Sequence, residues 1–377
     1  MKKLLALALP FIVVACGGGG DTVSTMDKIP KIMAPVSESV SSTSVKISQA
    51  TTGLNLYGAT TASFPAGSSR GMCEMTNLVK NLLDNAAQVD KVLCYVQNVM
   101  VNNNLADKES VYDGQPHFYT LNFTGNDEID TGKIRLQITR DGDKITNFSM
   151  KNCFGGDGTT QTEYLSYTIN PDTNKVAIVS KQKQTEWQSY ITVDGELDGT
   201  NYKSKTIIAK STNTNGSNSN SSKGTINQYS NAIIFNGFNT GEWDGNTYSN
   251  RAYSKAELLN GTSLNLHDLG LGDGSVSFIM AGSGWPGETG IESWSGDTAK
   301  AISKTTGMYY SAVASETPEA VETVTVPDFS GNEVWDCSGT ADQTLVVDQA
   351  SLDEVCSSNS MYPGNKGNNW IDCSSLN

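Results

Sequence analysis

The sequence has few of the residues on which common catalytic sites are built. It contains only two histidines, His117 and His267, which are both interpreted as residues at strand ends. It also lacks the G-x-S-x-G, H-E-x-x-H and P-loop motifs. Paired acids such as Glu128 and Asp130 are too common in an acidic chain to indicate a glycosidase. We therefore predict a protein that is not an enzyme and has no cofactor, with a hydrolase built on acidic residues as the enzymatic alternative.

Basic residues are also scarce. The sequence contains 26 Lys and Arg residues and 40 Asp and Glu residues, which gives a formal net charge of −14. Such a surface repels nucleic acid, so no nucleic-acid partner is expected. Long apolar runs are missing as well, because the longest, from Leu4 to Val14, is far shorter than the ~20 residues that span a bilayer.

The first sixteen residues have the pattern of an export signal. Lys2 and Lys3 precede the apolar run, which closes in Val13-Val14-Ala15-Cys16. This ending resembles the lipobox of bacterial lipoproteins, although an ordinary secretory signal with an accidental cysteine is the alternative. The resemblance implies that residues 1–15 are a signal peptide. It also implies that Cys16 is lipidated, for example with palmitate, and holds the protein to the outer membrane, on its periplasmic or cell-surface face.

Composition predicts four regions along the chain. After the signal peptide, residues 16–68 are expected to be a flexible tether rich in Gly, Ser and Thr, because the four glycines from Gly17 to Gly20 do not favour one backbone conformation. Residues 69–328 are expected to form a domain of one helix and an antiparallel sheet. Residues 329–377 are expected to be a cysteine-containing C-terminal segment held by disulfides, since so few residues bury little core.

A long amphipathic helix is predicted from about Met72. Its apolar positions recur at alternating intervals of four and three; they are Met75, Val79, Leu82, Ala86, Val89, Leu93, Val96 and Met100. A helix of ~40 Å needs a broad apolar partner. Packing on a sheet is favoured over a coiled-coil dimer, because clean heptads are few and the seam contains an alanine. A helix hairpin broken near Asn85 is a further alternative.

From His117 onward the hydrophobic pattern changes to alternation, as in Tyr119-x-Leu121-x-Phe123. Short turn signals separate these runs, so neighbouring strands are expected to be antiparallel. The segment from Ser211 to Gly224 is interpreted as a mobile loop. We predict a mainly β (α+β) fold, a large curved antiparallel meander packed on the long helix. This arrangement is similar to that of half-barrel lipid-binding and carrier lipoproteins, which implies an acyl chain held by the sheet.

The six cysteines beyond Cys16 are expected to form three disulfides, since an even number in an exported chain fits a disulfide framework. They fall into two groups, which are Cys73, Cys94 and Cys153, and Cys337, Cys356 and Cys373. Each group is odd, so at least one bridge must join the groups. We expect Cys94 to pair with Cys153 and Cys73 with a C-terminal cysteine, while the two cysteines that remain close a loop in the tail. No metal site is predicted, because the C-x₂₋₄-C spacing of zinc sites is missing.

Three tryptophans are candidate ligand-binding residues. Trp243, Trp285 and Trp294 are flanked by Gly, Pro, Ser or Asp, which favours loops, and exposed indoles are suited to stacking on sugar rings. Alternatively these rings cover the ends of the sheet. The sequence thus favours a lipid-anchored outer-membrane lipoprotein that binds or carries an apolar ligand such as a lipid. The alternative is a surface structural or adhesive lipoprotein that contacts glycan or protein through these loops.

Overall fold

The protein is mostly β, as predicted. A computed structural model describes residues 29–34, 36–39, 68–124, 131–154, 160–199, 201–230, 232–257, 275–283, 300–303, 309–311 and 320–356. Within these ranges the chain forms one large curved sheet of fourteen strands and two α-helices. The predicted signal peptide, with Cys16, lies outside the described residues.

The sheet is a meander in which each strand lies beside the next one in sequence. The strands are β1 His117–Thr124, β2 Thr131–Asp141, β3 Lys144–Phe154, β4 Thr160–Asn170, β5 Lys175–Lys183, β6 Trp187–Asp198, β7 Asn201–Asn215, β8 Asn218–Gln228, β9 Ala232–Trp243, β10 Asn246–Glu257, β11 Ser275–Ser283, β12 Lys300–Ser303, β13 Tyr309–Ser311 and β14 Gln343–Asp348. Consecutive strands from β1 to β13 pair antiparallel, which confirms the predicted meander. Only β14 departs from this order among the described strands, since it pairs parallel to β1.

The interpretation of Ser211 to Gly224 as a mobile loop was wrong. This stretch is the end of β7, a tight turn and most of β8, with Gly216 at φ 62° in the turn. Its inward positions are small or polar because the helix lies close above them. A Cβ built on Gly224 would be 2.4 Å from Leu82 Cδ1, so a larger side chain has no room there. Alternation of apolar residues, the usual signal of a strand, is therefore missing.

The long helix α1 spans Ser68–Asn102 and is longer than predicted. Its described apolar positions are buried in one core with side chains of the sheet; they are Leu82, Ala86, Val89, Leu93, Val96 and Met100. These are the predicted positions from Leu82 onward. The helix contacts β6 to β9 and, near its C-terminal end, β14, so it crosses several strands. The second helix, α2, is Gln349–Val355.

An N-terminal segment, residues 29–34 and 36–39, is part of the core. Ile32 is fully buried, Val36 forms a parallel bridge with Tyr202 on β7, and the Ser37 N–H donates to the Tyr202 carbonyl at 2.9 Å. These residues fall within the range predicted to be a flexible tether, and the prediction is wrong for them. The segment is too short and irregular to show a hydrophobic period, so its packing left no pattern in the sequence.

Two buried charges hold the N-terminal segment against α1 and β7. On α1, the Asp90 carboxylate accepts the backbone N–H groups of Ile32 at 2.7 Å and Met33 at 3.0 Å. On β7, the Lys205 ammonium donates to the carbonyls of Ile32 and of Ala34, the latter at 2.7 Å. Burial raises the pKa of Asp90 and lowers that of Lys205, while the charge of each opposes the shift of the other. The segment is thus fixed by side chains that are costly to bury without partners.

The outer strap, residues 320–342, runs across the face of the sheet opposite to α1. Lysines that alternate with the core residues reach it. Lys181 forms an ion pair with Glu333 at 2.7 Å, Lys223 pairs with Glu322 at 2.7 Å, and Lys133 donates to the Cys337 carbonyl at 3.1 Å. The chain then enters β14 and α2, where Leu345, Val347 and Leu352 join the same core as α1 and the sheet. The C-terminal residues therefore contact both faces of the sheet.

Two disulfides hold the C-terminal residues against both faces of the sheet. Both join the first cysteine group to the second, which confirms that at least one bridge joins the groups. Cys94 on α1 bonds Cys356 at the end of α2, and Cys153 on β3 bonds Cys337 in the outer strap. The expected Cys94–Cys153 pair was wrong, because the sheet lies between the two side chains. The expected bridge within the C-terminal group was wrong as well, because Cys337 and Cys356 both bond cysteines of the first group. Cys373 and the side chain of Cys73 lie outside the described residues.

Candidate functional site

A cavity of about 270 Å³ lies between the C-terminal half of α1 and the first strands of the sheet. It is bounded by α1, β1 to β4, β14 and α2, and its wall is mostly apolar. The apolar lining residues are Val92, Val96, Val99, Met100, Leu121, Phe123, Ile134, Leu136, Met150, Phe154, Leu345, Val347 and Leu352. Small-molecule sites in proteins have this character, a concave apolar wall with a few placed polar groups.

Helix α2 closes one side of the cavity. Gln349 on α2 and Tyr95 on α1 both line it, and both donate to the carboxylate of Asp353, which Gln349 reaches at 3.0 Å. Lys91 adds an ion pair to Asp353 at 3.2 Å. Together with the Cys94–Cys356 disulfide, these contacts fix α2 on α1. This wall of the cavity is therefore held by a covalent bond and by polar contacts at the surface.

A buried carboxylate enters the cavity from the sheet. Glu163 on β4 is only 7% exposed and lines the cavity beside Asn152 of β3. Its two oxygens accept hydrogen bonds from the amide nitrogens of Asn152 and Gln182, both at 2.7 Å, while Thr162 donates to the Asn152 oxygen at 2.9 Å. Burial raises the pKa of Glu163, and the two amide hydrogen bonds oppose that rise. Among the described residues, no Lys or Arg forms an ion pair with this carboxylate.

Glu163 belongs to a polar ladder that crosses the core side of the sheet with one residue on each of seven strands. Each member pairs directly with the next one in register; the members, from β3 to β9, are Asn152, Glu163, Gln182, Ser189, Ser211, Ser222 and Asn239. The Ser211 and Ser222 hydroxyls lie 2.7 Å apart and share a hydrogen bond. At the far end, Asn239 Oδ1 is buried without a partner in the described part of the chain. The cavity therefore opens onto the first two residues of a buried polar row.

Glu163 and Asn152 were not among the site residues predicted from the sequence. A signal was present for Glu163, because it has the same alternation as Leu165, Tyr167 and Ile169, which point into the core. A glutamate at a core position of a strand indicates a placed polar group. For Asn152 the signal is weaker, because a bulge between Asn152 and Cys153 breaks the alternation of β3.

The predicted tryptophan site is described only in part. Trp243 is the last residue of β9, beside the turn to β10, and so lies in a strand and not on a loop; its side chain is 56% exposed. Trp285 and Trp294 lie outside the described residues, so no shared surface of the three can be drawn. Trp243 is not part of the cavity wall.

The other sequence candidates have ordinary contacts. His117 lies between Asp113, with Nε2 to Oδ1 at 3.1 Å, and Asp342, with Nδ1 to Oδ2 at 3.5 Å. Glu196 on β6, an acidic residue beside the turn to β7, pairs with Lys203 at 2.8 Å. Across the described ranges no three His, Cys, Asp or Glu side chains come together as a metal-binding group. None of the helices in these ranges combines the length and apolar character needed to cross a membrane.

No protein-family profile, no curated protein sequence and no solved structure matches this chain. The features of this chain that bear on its function are therefore the cavity, its buried carboxylate and the N-terminal sequence.

Proposed function

We propose that this protein is a lipid-anchored, exported binding protein that holds one small apolar ligand in the cavity between α1 and the sheet. The observation that carries the proposal is the cavity itself, whose wall is formed mostly by hydrophobic side chains of two helices and four strands. Cavities with apolar walls in proteins can take up apolar molecules such as benzene.

The volume limits the size of the ligand. At about 270 Å³ the cavity is less than twice the ~150 Å³ of an engineered apolar cavity that binds benzene, and it falls just below the range of ~300 to 1,000 Å³ typical of ligand sites. A single ring system or one short alkyl chain matches this space. The ligand is therefore a small apolar molecule or one short chain of a lipid, and not a whole two-chain phospholipid.

Anchoring rests on the sequence and on the cysteines. The lipobox-like ending at Cys16 supports attachment through a lipid to the outer membrane, and the two disulfides fit a chain that matures in an oxidising compartment. Several acyl chains on one N-terminal cysteine are sufficient for stable membrane attachment. The domain would then present its cavity close to the source or the destination of an apolar ligand.

A cavity-filling substitution tests the binding proposal. Val99 on α1 lines the cavity and is only partly buried, so Val99→Phe is expected to occupy the space with little cost to folding. Val101, on the same helix, is 47% exposed and lies outside the cavity wall, which makes Val101→Phe the matched control. Uptake of a polarity-sensitive fluorescent dye, and its displacement by 1-octanol, should be lost in the first variant and kept in the second. Equal uptake by both variants would contradict the proposal.

A separate experiment tests the anchor. Cys16→Ser should move the full-length protein from the membrane fraction to the soluble fraction and abolish incorporation of labelled palmitate. Continued labelling of the variant would show that the lipid is attached elsewhere or that the N-terminal pattern was misinterpreted.

A further inference from the structure

Glu163 is placed where it would meet the polar end of a ligand. It lines the cavity and is nine-tenths buried, and both of its oxygens are held by the amides of Asn152 and Gln182. The cavity's other polar lining residues carry no carboxylate. Tyr95 and Gln349 donate to Asp353, and Asn152 donates to Glu163 and accepts from Thr162. Glu163 is therefore the charged acceptor of this wall, and its carboxylate can accept a bond from a ligand.

The chemistry of this group decides what it can receive. An ionised carboxylate offers roughly four acceptor positions and no donor, so one amide bond to each oxygen leaves acceptor capacity unused. No described Lys or Arg pairs with Glu163, and a buried charge without a counter-charge is costly. A ligand that donates a hydrogen bond would relieve that cost. A carboxylate, phosphate or sulfate would be repelled.

We propose that the cavity selects amphiphiles whose apolar part fills the space and whose head donates a hydrogen bond to Glu163. The head is a primary ammonium or a hydroxyl group, and the ammonium is favoured because it also supplies the missing counter-charge. This inference rests on the proposed binding function. It adds an orientation for the bound ligand, whose donor head points toward β3 and β4.

Probes that share a chain and differ in the head test the selection. We would measure the affinity of the full-length protein for 1-octylamine, 1-octanol and octanoate by displacement of the fluorescent dye. The expected order is octylamine, then octanol, then octanoate, with about tenfold or more between the first and the last, since hydrogen bonds to ionised groups are roughly twice as strong as neutral ones.

A substitution of the carboxylate provides the matched comparison. Glu163→Gln keeps the shape of the side chain and removes its charge, so the affinity for octylamine should fall by about tenfold while that for octanol changes less. Glu196→Gln, at a surface ion pair on β6, should change neither affinity. Octanoate binding as tightly as octylamine would overturn the inference and leave the binding function intact. If no probe displaces the dye and Val99→Phe has no effect, both proposals fail.

Discussion

Replacement of Lys205 by methionine should detach the N-terminal segment from the core. Methionine has a similar volume but cannot donate a hydrogen bond, so the substitution leaves the carbonyls of Ile32 and Ala34 and the Asp90 carboxylate without their cationic partner. Removing the opposite charge that compensates a buried charge typically costs ~3 to 5 kcal/mol. We expect a loss of this order in the free energy of unfolding.

Lys203 offers a matched control on the same strand. Its ammonium pairs with Glu196 at 2.8 Å, and its side chain is 48% exposed. Exposed ion pairs contribute only ~0 to 1 kcal/mol, so Lys203→Met should have a small effect. Urea unfolding would give both free energies, and hydrogen exchange at the Ile32 and Met33 amides would show whether the segment opens. Equal losses in the two variants, or unchanged exchange at these amides, would refute the reasoning.

The same pair predicts a dependence on pH. Burial raises the pKa of Asp90, so this carboxyl group binds a proton more readily in the folded state than in the unfolded state. The contribution of Asp90 to stability therefore falls as pH rises through the carboxyl range. Burial lowers the pKa of Lys205, so this amine binds a proton more readily in the unfolded state than in the folded state. The contribution of Lys205 to stability therefore rises with pH until pH reaches the ordinary lysine pKa. In the Lys205→Met variant this rise in the free energy of unfolding at alkaline pH should disappear, whereas the Lys203→Met variant should keep it.

Two further predictions concern covalent and packing contacts. Cys73 and Cys373 should form the third disulfide, because the other two bridges leave one cysteine in each group. Cys356 is bonded to Cys94, so the tail must span the ~31 Å that separate Cys94 from Cys73 along α1. The chain from Cys356 to Cys373 can reach ~56 Å, which is sufficient. Non-reducing peptide mapping would find this bridge, and free thiols at both positions would contradict it. Gly224→Ala should cost about 1 to 3 kcal/mol, because the added methyl group meets Leu82 and Phe235, and Leu82→Ala in the same chain should recover part of the loss in urea unfolding. A fully additive double variant would contradict this close approach.

Much of the architecture could be predicted because its signals are local. The alternation in strands such as β1 and the short turns between strands indicate an antiparallel meander, since such turns leave no room for a crossover. The apolar period from Leu82 to Met100 predicts the buried stripe of α1. Counting the cysteines was enough to show that a bridge must cross between the two groups.

The features that were missed depend on contacts between distant parts of the chain. The strand nature of Ser211 to Gly224 depends on the approach of α1 to Gly224, and the packing of Ile32 depends on Asp90 and Lys205. The pairing of Cys94 could not be predicted, because it depends on which face of the sheet each cysteine occupies. Glu163 becomes a site only because β3, β4, α1 and β14 meet around it.

NMR of the methionine methyl groups is the measurement that tests the binding cavity most directly. Met100 and Met150 line the cavity from α1 and β3, whereas Met33 packs in the N-terminal segment outside the cavity wall. In NMR spectra of protein labelled at the methionine methyl groups, saturating 1-octanol should shift the resonances of Met100 and Met150 and leave that of Met33 in place. The Val99→Phe variant should show neither shift. Unmoved resonances of Met100 and Met150 in the unmodified protein, or an equal shift of Met33, would contradict a ligand site between α1 and the sheet.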